Sequence, residues 1–449
     1  MDTSYLAGLI FVLAFAGMIF IHELGHYLAS LWMGVEVEEF GFGIPPRAWR
    51  FWRGKGKLTV GNQTILIPNN FDLPFTASEN LGRGVEVRLK RVNEKLILQT
   101  IQLAATEDGQ FRAAQPIPFQ GADGTWRMDG ILHNVSQGTE FTLNWLPLGG
   151  FVRPKGENDP NIPGGLAAAN PWKRLVVLFA GPLMNLIAGV FVISLLFAQI
   201  GIPDSSIVKI YSVEKDAPAD LAGIRANDIV LSVNGEAITA QEQLRAAILA
   251  SLDRPLEMIV LRDGEQVTLT ATPSSARPAE IGALGIGMGS QYVPAESWFS
   301  TLPYSLDATW YQIHFFATLP GRIIGGEIDP ELARFSGLYG IARVFQQTVE
   351  HDVTSRAVVT SSSVPEPTNL TLELIASLTI TIGLFNLFPF PALDGGRILF
   401  VLPELLFRKR VPHQFENTVH AAGMLILLLF MLYVNVMDFV NPINIELPR

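Results

Sequence analysis

The sequence predicts a multi-pass α-helical membrane protein with about four transmembrane helices, a β-rich cytoplasmic insert and one small extracytoplasmic α/β domain. Three observations predict it. Charged residues make up 16% of the chain and apolar residues 49%, whereas an average soluble protein is roughly 25% charged. Four stretches come near or above the roughly 20 apolar residues that cross a bilayer: Tyr5 to Met33, Leu175 to Ile200, Leu372 to Phe390 and Val419 to Val440. Between them lie two long polar stretches with the alternation and turn signals of strands. A length of 449 residues leaves room for several units. The formal net charge of −10 argues against a nucleic-acid partner, which a basic face would mark. With no cysteine, disulfides and thiolate metal sites are excluded, and any metal falls to His, Asp or Glu.

The first apolar stretch opens Met1-Asp2-Thr3-Ser4, without Lys or Arg, and no small-residue cleavage site follows it. It reads as a retained helix rather than a signal peptide. Arg47, Arg50, Arg53, Lys55 and Lys57 follow this helix, and Arg153, Lys155, Lys173 and Arg174 precede the second. Arg408, Lys409 and Arg410 lie between the third and fourth, whereas Lys209 stands alone after the second. Positive charge stays on the cytoplasmic side, so both termini and the stretch between helices two and three are expected outside, at the cell (inner) membrane.

Residues 1–57 thus hold the first helix and the start of a β region, and 58–139 a β-rich insert. In the insert Val85-Glu86-Val87-Arg88-Leu89 alternates, with turn signals at Asp108-Gly109 and Asp123-Gly124. His133 is alone there and reads as an ordinary surface or satisfied residue; the insert suggests no chemistry. Residues 140–204 hold the end of the β region and the second helix. From 205 to 273 comes the α/β domain: a strand, Ala217-Pro218-Ala219, a strand ending at Asn234-Gly235, a helix over Ala240 to Leu252, and two strands about Asp263-Gly264. Residues 274–367 contain the aromatic-rich Trp298 to Phe316, which fits a helix at the membrane interface or one packed on the bundle. They end in a Ser-, Thr-, Val- and Pro-rich linker over Val358 to Thr368. Residues 368–449 carry the third and fourth helices.

The chemistry is concentrated in two places. His22-Glu23-Leu24-Gly25-His26 fits H-E-x-x-H. Residues four apart share a helix face, so both imidazoles can reach one metal while Glu23 stands beside it as general base. The motif sits inside an apolar helix, where an ionisable group costs roughly 2.5 kcal/mol or more on insertion scales. Polar packing among helices is the bland account, but it does not need this spacing. Zinc needs a third protein ligand and an open position. The candidate is Asp394, in Asn386-Leu387-Phe388-Pro389-Phe390-Pro391-Ala392-Leu393-Asp394-Gly395-Gly396. Pro389 and Pro391 cannot continue a regular helix, and the glycines permit a close turn. A mere helix kink would explain the prolines but not the aspartate.

These two motifs together resemble the site-2 protease family of intramembrane zinc metalloproteases, in the bacterial branch with an extracytoplasmic PDZ domain. Ala180-Gly181-Pro182-Leu183-Met184-Asn185 is similar to its second-helix motif, and Pro171-Trp172-Lys173-Arg174 to the lead-in of that motif. Leu146 to Val152 resembles its membrane-associated β-hairpin, and Gly41-Phe42-Gly43 the segment after the first helix. The 205–273 unit resembles a PDZ domain, with Asn227 where that family usually has Gly. The resemblance implies one zinc ion per chain on His22, His26 and Asp394, with Glu23 catalytic. It further implies substrate contacts at Leu148, Gly149, Gly150 and Asn386, and transmembrane proteins as substrates in the lipid bilayer. The PDZ-like unit would bind peptides or the C-termini of other proteins, or act as a size filter. The job would be anti-sigma factor cleavage or clearance of signal-peptide remnants. Two features depart from the family: the insert, and Ser336-Gly337-Leu338-Tyr339-Gly340-Ile341, which lacks a proline. The rival reading is a catalytically silent membrane scaffold that recruits partners through the PDZ-like domain. A transporter would show internal repeats, and none is seen.

Overall fold

A computed structural model describes residues 3–76, 78–104, 117–121, 124–157, 159–277, 282–326, 328, 334–358 and 369–442. The Asp108-Gly109 turn, Asp123 and the linker after Val358 lie outside them. Two compact units divide the chain. The first runs to Gly189 and resumes over Gln312–Val358 and from Leu374 on; the second holds Val190–Tyr311 and the residues just before Leu374.

In the first unit, α1 (Thr3–Met33) leads into β1 (Val37–Arg53). The insert follows with β2 (Gly56–Val60), β3 (Gln63–Ile67), β4 (Gly84–Val92), β5 (Lys95–Leu103), β6 (Phe119–Gln120) and β7 (Trp126–Ser136). These form one sheet in the order β2-β3-β5-β4-β7-β6, with β2 also paired to β7. Alternate residues of its strands point into a closed apolar core of Leu58, Val60, Ile65, Ile67, Val85, Val87, Leu89 and Leu132. The chain then returns through β8 (Glu140–Pro154) to pair with β1.

The β1–β8 pair folds over itself. Phe42 lies opposite both Gly150 and Leu143, while Trp49 and Trp52 lie opposite Leu143 and Phe141. The first half of β1 therefore sits between the two halves of β8, and the second half of β1 borders the other side. Buried polar groups fasten the fold: Thr142 donates to Glu39 at 2.7 Å, and the Asn144 amide donates to the Gly43 carbonyl at 3.0 Å. Ile44, Trp49, Trp145 and Leu146 stay exposed on this ribbon.

Next comes α2 (Pro171–Ile200). Ala29 and Val35, at the end of α1 and just beyond it, bury together with Val177 of α2 and Leu166. The second unit is a sheet of β9 (Ile202–Val213), β10 (Ile229–Val233), β11 (Glu236–Ala237), β12 (Leu256–Arg262), β13 (Glu265–Ala271) and β14 (Ile286–Val293), with short helices α3 (Pro218–Leu221) and α4 (Gln241–Ala250). The order is β13-β12-β10-β9-β14, with β11 beside β10. Leu244, Leu256, Met258 and Val260 centre its core. β14 lies beyond the predicted 273 boundary: a strand with Gly287 and Gly289 carries little β signal, and its pairing with β9 is what makes it a strand.

Among the described residues, five helices follow: α5 (Leu302–Ile324), α6 (Leu338–Val358), α7 (Leu370–Asn386), α8 (Asp394–Phe407) and α9 (His413–Val440). Among the described residues α1, α2 and α9 are long and apolar enough to cross a membrane, and α7 is a shorter apolar helix. At 17 residues α7 spans about 26 Å. It stops at Asn386, short of the predicted Phe390, because two prolines follow. α6, absent from the sequence reading, packs on α1, where Phe11 meets the buried Phe345 edge-on at 5.4 Å.

Candidate metal centre

His22 and His26 lie on α1 with their imidazoles turned to the same side, as a four-residue spacing requires. His22 Nε2 and His26 Nε2 are 3.2 Å apart. Asp394, the first residue of α8, brings Oδ2 to 3.1 Å from His22 Nε2 and 3.3 Å from His26 Nε2. The Pro389-to-Leu393 turn makes this possible. Cβ atoms at Gly395 and Gly396 would stand 2.2 Å from the carbonyl oxygens of Phe388 and Phe390, so only glycine lets the chain double back there. Arg397 pairs with Glu157, and Arg174 of α2 pairs with Glu404 at 2.8 Å; both hold α8 in place.

Two explanations fit three polar atoms at these distances: a hydrogen-bonded triad or a shared ion. The buried Asp394 Oδ2 has no hydrogen bond of acceptable geometry. His26 Nδ1 bonds to the Val177 carbonyl at 2.8 Å, so Nδ1 carries the proton and Nε2 offers a lone pair. Asn185, fully buried on α2, faces His22 Nδ1 at 3.5 Å and leaves Oδ1 unpartnered. Oxygen and nitrogen of an amide are assigned from the hydrogen-bond network. Turning this amide over lets Oδ1 accept from His22 Nδ1–H and frees His22 Nε2 as well. Both imidazoles then aim lone pairs, not protons, at the carboxylate, an arrangement that a shared cation would satisfy. Tetrahedral zinc with bonds of about 2.0 Å sets its ligands about 3.3 Å apart, close to the spacing found. The donor set fits zinc.

Glu23 stands one residue from His22. Its Oε2 accepts the Val152 N–H at 2.9 Å. Val152 is paired to Phe40 on its other side, so this amide points away from β1 and toward the metal motif. A cavity of about 330 Å³ adjoins Glu23, lined by Leu13, Phe20, Phe40, Phe42, Gly149 and Gly150. A larger cavity of about 640 Å³, lined by Glu36, Arg47, Glu140 and Arg153 among others, includes none of His22, Glu23, His26 and Asp394.

The structure therefore gathers His22, His26, Asp394 and Glu23, and sets Gly149 and Gly150 against the same cavity. Leu148 lies in β8 between them and Leu146, and its side chain is outside the described set. Asn386 ends α7 with its amide bonded to the Ile382 carbonyl of its own helix, 3.1 Å away. Sequence reasoning missed Val177 and Asn185 as partners of the histidines. It also missed why Gly25 and Gly181 matter. A Cβ on Gly25 would lie 2.3 Å from the Ala180 carbonyl oxygen, and one on Gly181 would lie 2.3 Å from His26 Nε2. The Ala180-to-Asn185 motif held that signal: small residues on an apolar helix mark close helix approach.

Among known proteins, the chain is 24% identical to the zinc metalloprotease RasP of Oceanobacillus iheyensis, over 94% of this chain and 96% of that one. It is 25% identical to the regulator of sigma-W protease RasP of Bacillus subtilis, over 94% and 96%. It is also 25% identical to the metalloprotease MmpA of Caulobacter vibrioides, over 95% and 93%. The sequence model of Peptidase family M50 matches residues 10–68 and 128–430, which include His22, Glu23, His26 and Asp394 and leave a gap inside the insert. The match extends from α1 into α9 and covers well over half of the sequence, so the chain belongs to Peptidase family M50.

Proposed function

We propose that His22, His26 and Asp394 hold one zinc ion, and that Glu23 is the general base of an intramembrane zinc metalloprotease acting within or near transmembrane segments. One observation carries this reading: lone-pair donors from α1 and α8 converge at tetrahedral spacing beside a carboxylate. When bound, zinc supplies Lewis acidity, polarising a peptide carbonyl and making an attacking water more acidic. Glu23 takes a proton from that water and delivers it to the leaving nitrogen. Val177 and Asn185 keep the two imidazoles in the tautomer and orientation that ligation needs. Phe20, Phe40 and Phe42 line the cavity with apolar surface that excludes water.

A transmembrane helix hides its scissile carbonyl in helical hydrogen bonds, so the substrate must enter extended. The Gly150-to-Pro154 half of β8 borders β1 on one side and turns the Val152 N–H toward Glu23 on the other. That favours substrate pairing along Leu148, Gly149 and Gly150, with Asn386 as a further backbone contact. The second unit is read as PDZ-like and extracytoplasmic, with both termini on the same side. It binds peptides or C-termini, or excludes substrates with bulky outer domains. Cleavage of an anti-sigma factor and clearance of signal-peptide remnants are the two jobs this machinery suits, and the name of the Bacillus subtilis relative favours the first. A silent scaffold has no need of four assembled catalytic groups.

The test is zinc content of the detergent-purified full chain. About one zinc per chain is expected, with loss in His22→Ala and in Asp394→Ala, while Glu23→Gln keeps the metal and loses cleavage. A wild-type chain that takes up no zinc would sink the proposal.

A further inference from the structure

His420 sits on α9 and belongs to none of the groups named above. Its Nδ1 accepts a hydrogen bond from the Ala392 N–H at 3.0 Å. Ala392 precedes Asp394 by two residues and has a φ of 80°. That is the left-handed region, which a residue bearing a Cβ disfavours and which glycine usually fills. An alanine held there needs an outside restraint. α9 can supply it because Gly423, three residues after His420, has no side chain. A Cβ at Gly423 would lie 2.3 Å from Pro391 Cβ and 2.8 Å from the Pro391 carbonyl oxygen. The His420 ring is itself braced edge-on by Phe400 of α8, with ring centres 5.4 Å apart. α9 thus grips the Pro391-Ala392 turn that delivers Asp394.

We propose that His420 is a positioning residue for the metal centre: by holding the Ala392 backbone in its left-handed conformation, it aims Asp394 Oδ2 at the His22–His26 pair. The proposal rests on the reading of Asp394 as a zinc ligand. A packing role alone would be met by any planar ring of similar size. A positioning role needs the acceptor atom that faces Ala392.

Two substitutions separate these accounts in the full chain. His420→Phe keeps the ring and loses the acceptor, while His420→Asn places an amide oxygen near the position of Nδ1. Zinc affinity is read by competition with a chromogenic chelator, and site geometry by the visible absorption of the cobalt(II)-loaded protein. His420→Phe is expected to raise the zinc Kd about ten- to a hundredfold and to alter the cobalt bands. His420→Asn is expected to recover most of the affinity and the wild-type spectrum. Wild-type affinity and spectrum in His420→Phe would overturn the proposal. So would a folded His420→Asn that binds zinc no better than His420→Phe, or, where His420→Phe fails to fold, one that binds well below wild type. Asp394→Ala is run alongside. If it alone loses zinc, the ligand reading stands and only the role of His420 falls; if it keeps zinc, both fall.

Discussion

The candidate metal centre and the two sheets are held together by opposite means. The sheets rely on volume: Leu58, Val60, Ile65 and Ile67 fill one core, and Leu244, Leu256, Met258 and Val260 the other, each at most 1% exposed. The metal centre relies on missing volume. Gly25, Gly181, Gly395 and Gly396 each leave space that a methyl group would take from a backbone oxygen or from His26 itself. Removing atoms hurts a sheet, whereas adding one atom hurts the site.

The sharpest attempt to break this contrast is Gly181→Ala. Its methyl group would fall on His26 Nε2, so bound zinc should drop to under about a tenth of wild type and cleavage at least about a hundredfold. Metal analysis and a cleavage assay check this, with the helical circular dichroism expected to hold. A fully zinc-loaded variant would mean that α1 and α2 can part at no cost. The converse is Ile65→Ala in the insert core, expected to destabilise by about 2–4 kcal/mol and to leave zinc content unchanged. Denaturant melts of the insert alongside metal analysis check it, and zinc loss in step with the melt would abolish the distinction.

The smallest effect concerns the charges between insert and ribbon. A hydrogen bond from Arg50, with Arg53 adding its charge, holds the Asp72 carboxyl below the usual carboxylate range. Burial pushes the Glu140 carboxyl up, but Arg53 and Arg47 outweigh it and leave that group low as well. A lowered folded value means stability fully present above about pH 4, the unfolded range, and lost as pH falls through the folded value. Asp72 is 59% exposed, so after solvent screening its share is below about 1 kcal/mol. Asp72→Asn should flatten the acid limb of thermal unfolding slightly; an unchanged limb would remove this pair from the account.

The long apolar helices, the H-E-x-x-H motif and the alternating strands could be read because each repeats a local period or spacing. α6 was within reach too, since Ile341, Phe345 and Val349 recur every four residues, and Phe345 meets Phe11 of α1. β14 was not, because its glycines carry no strand preference and its partner β9 lies some 80 residues earlier. The two halves of the candidate metal site were legible as motifs. What holds them was not: Val177 acts through a backbone carbonyl, which no residue type announces. Ala392 takes a conformation its side chain argues against, visible only once the opposing helix is in view.

The histidines and the aspartate stand roughly 370 residues apart in the sequence. At about 5–20 residues per second, the ribosome emits His26 some 20–70 s before it emits Asp394. On the proposed ligand set, the nascent protein has two of three donors through that interval and no complete metal site. It would therefore be inert while its own first helices are still unfolded and extended. On the same reading the site is complete only once α8 and the α9 that grips its turn have both been made.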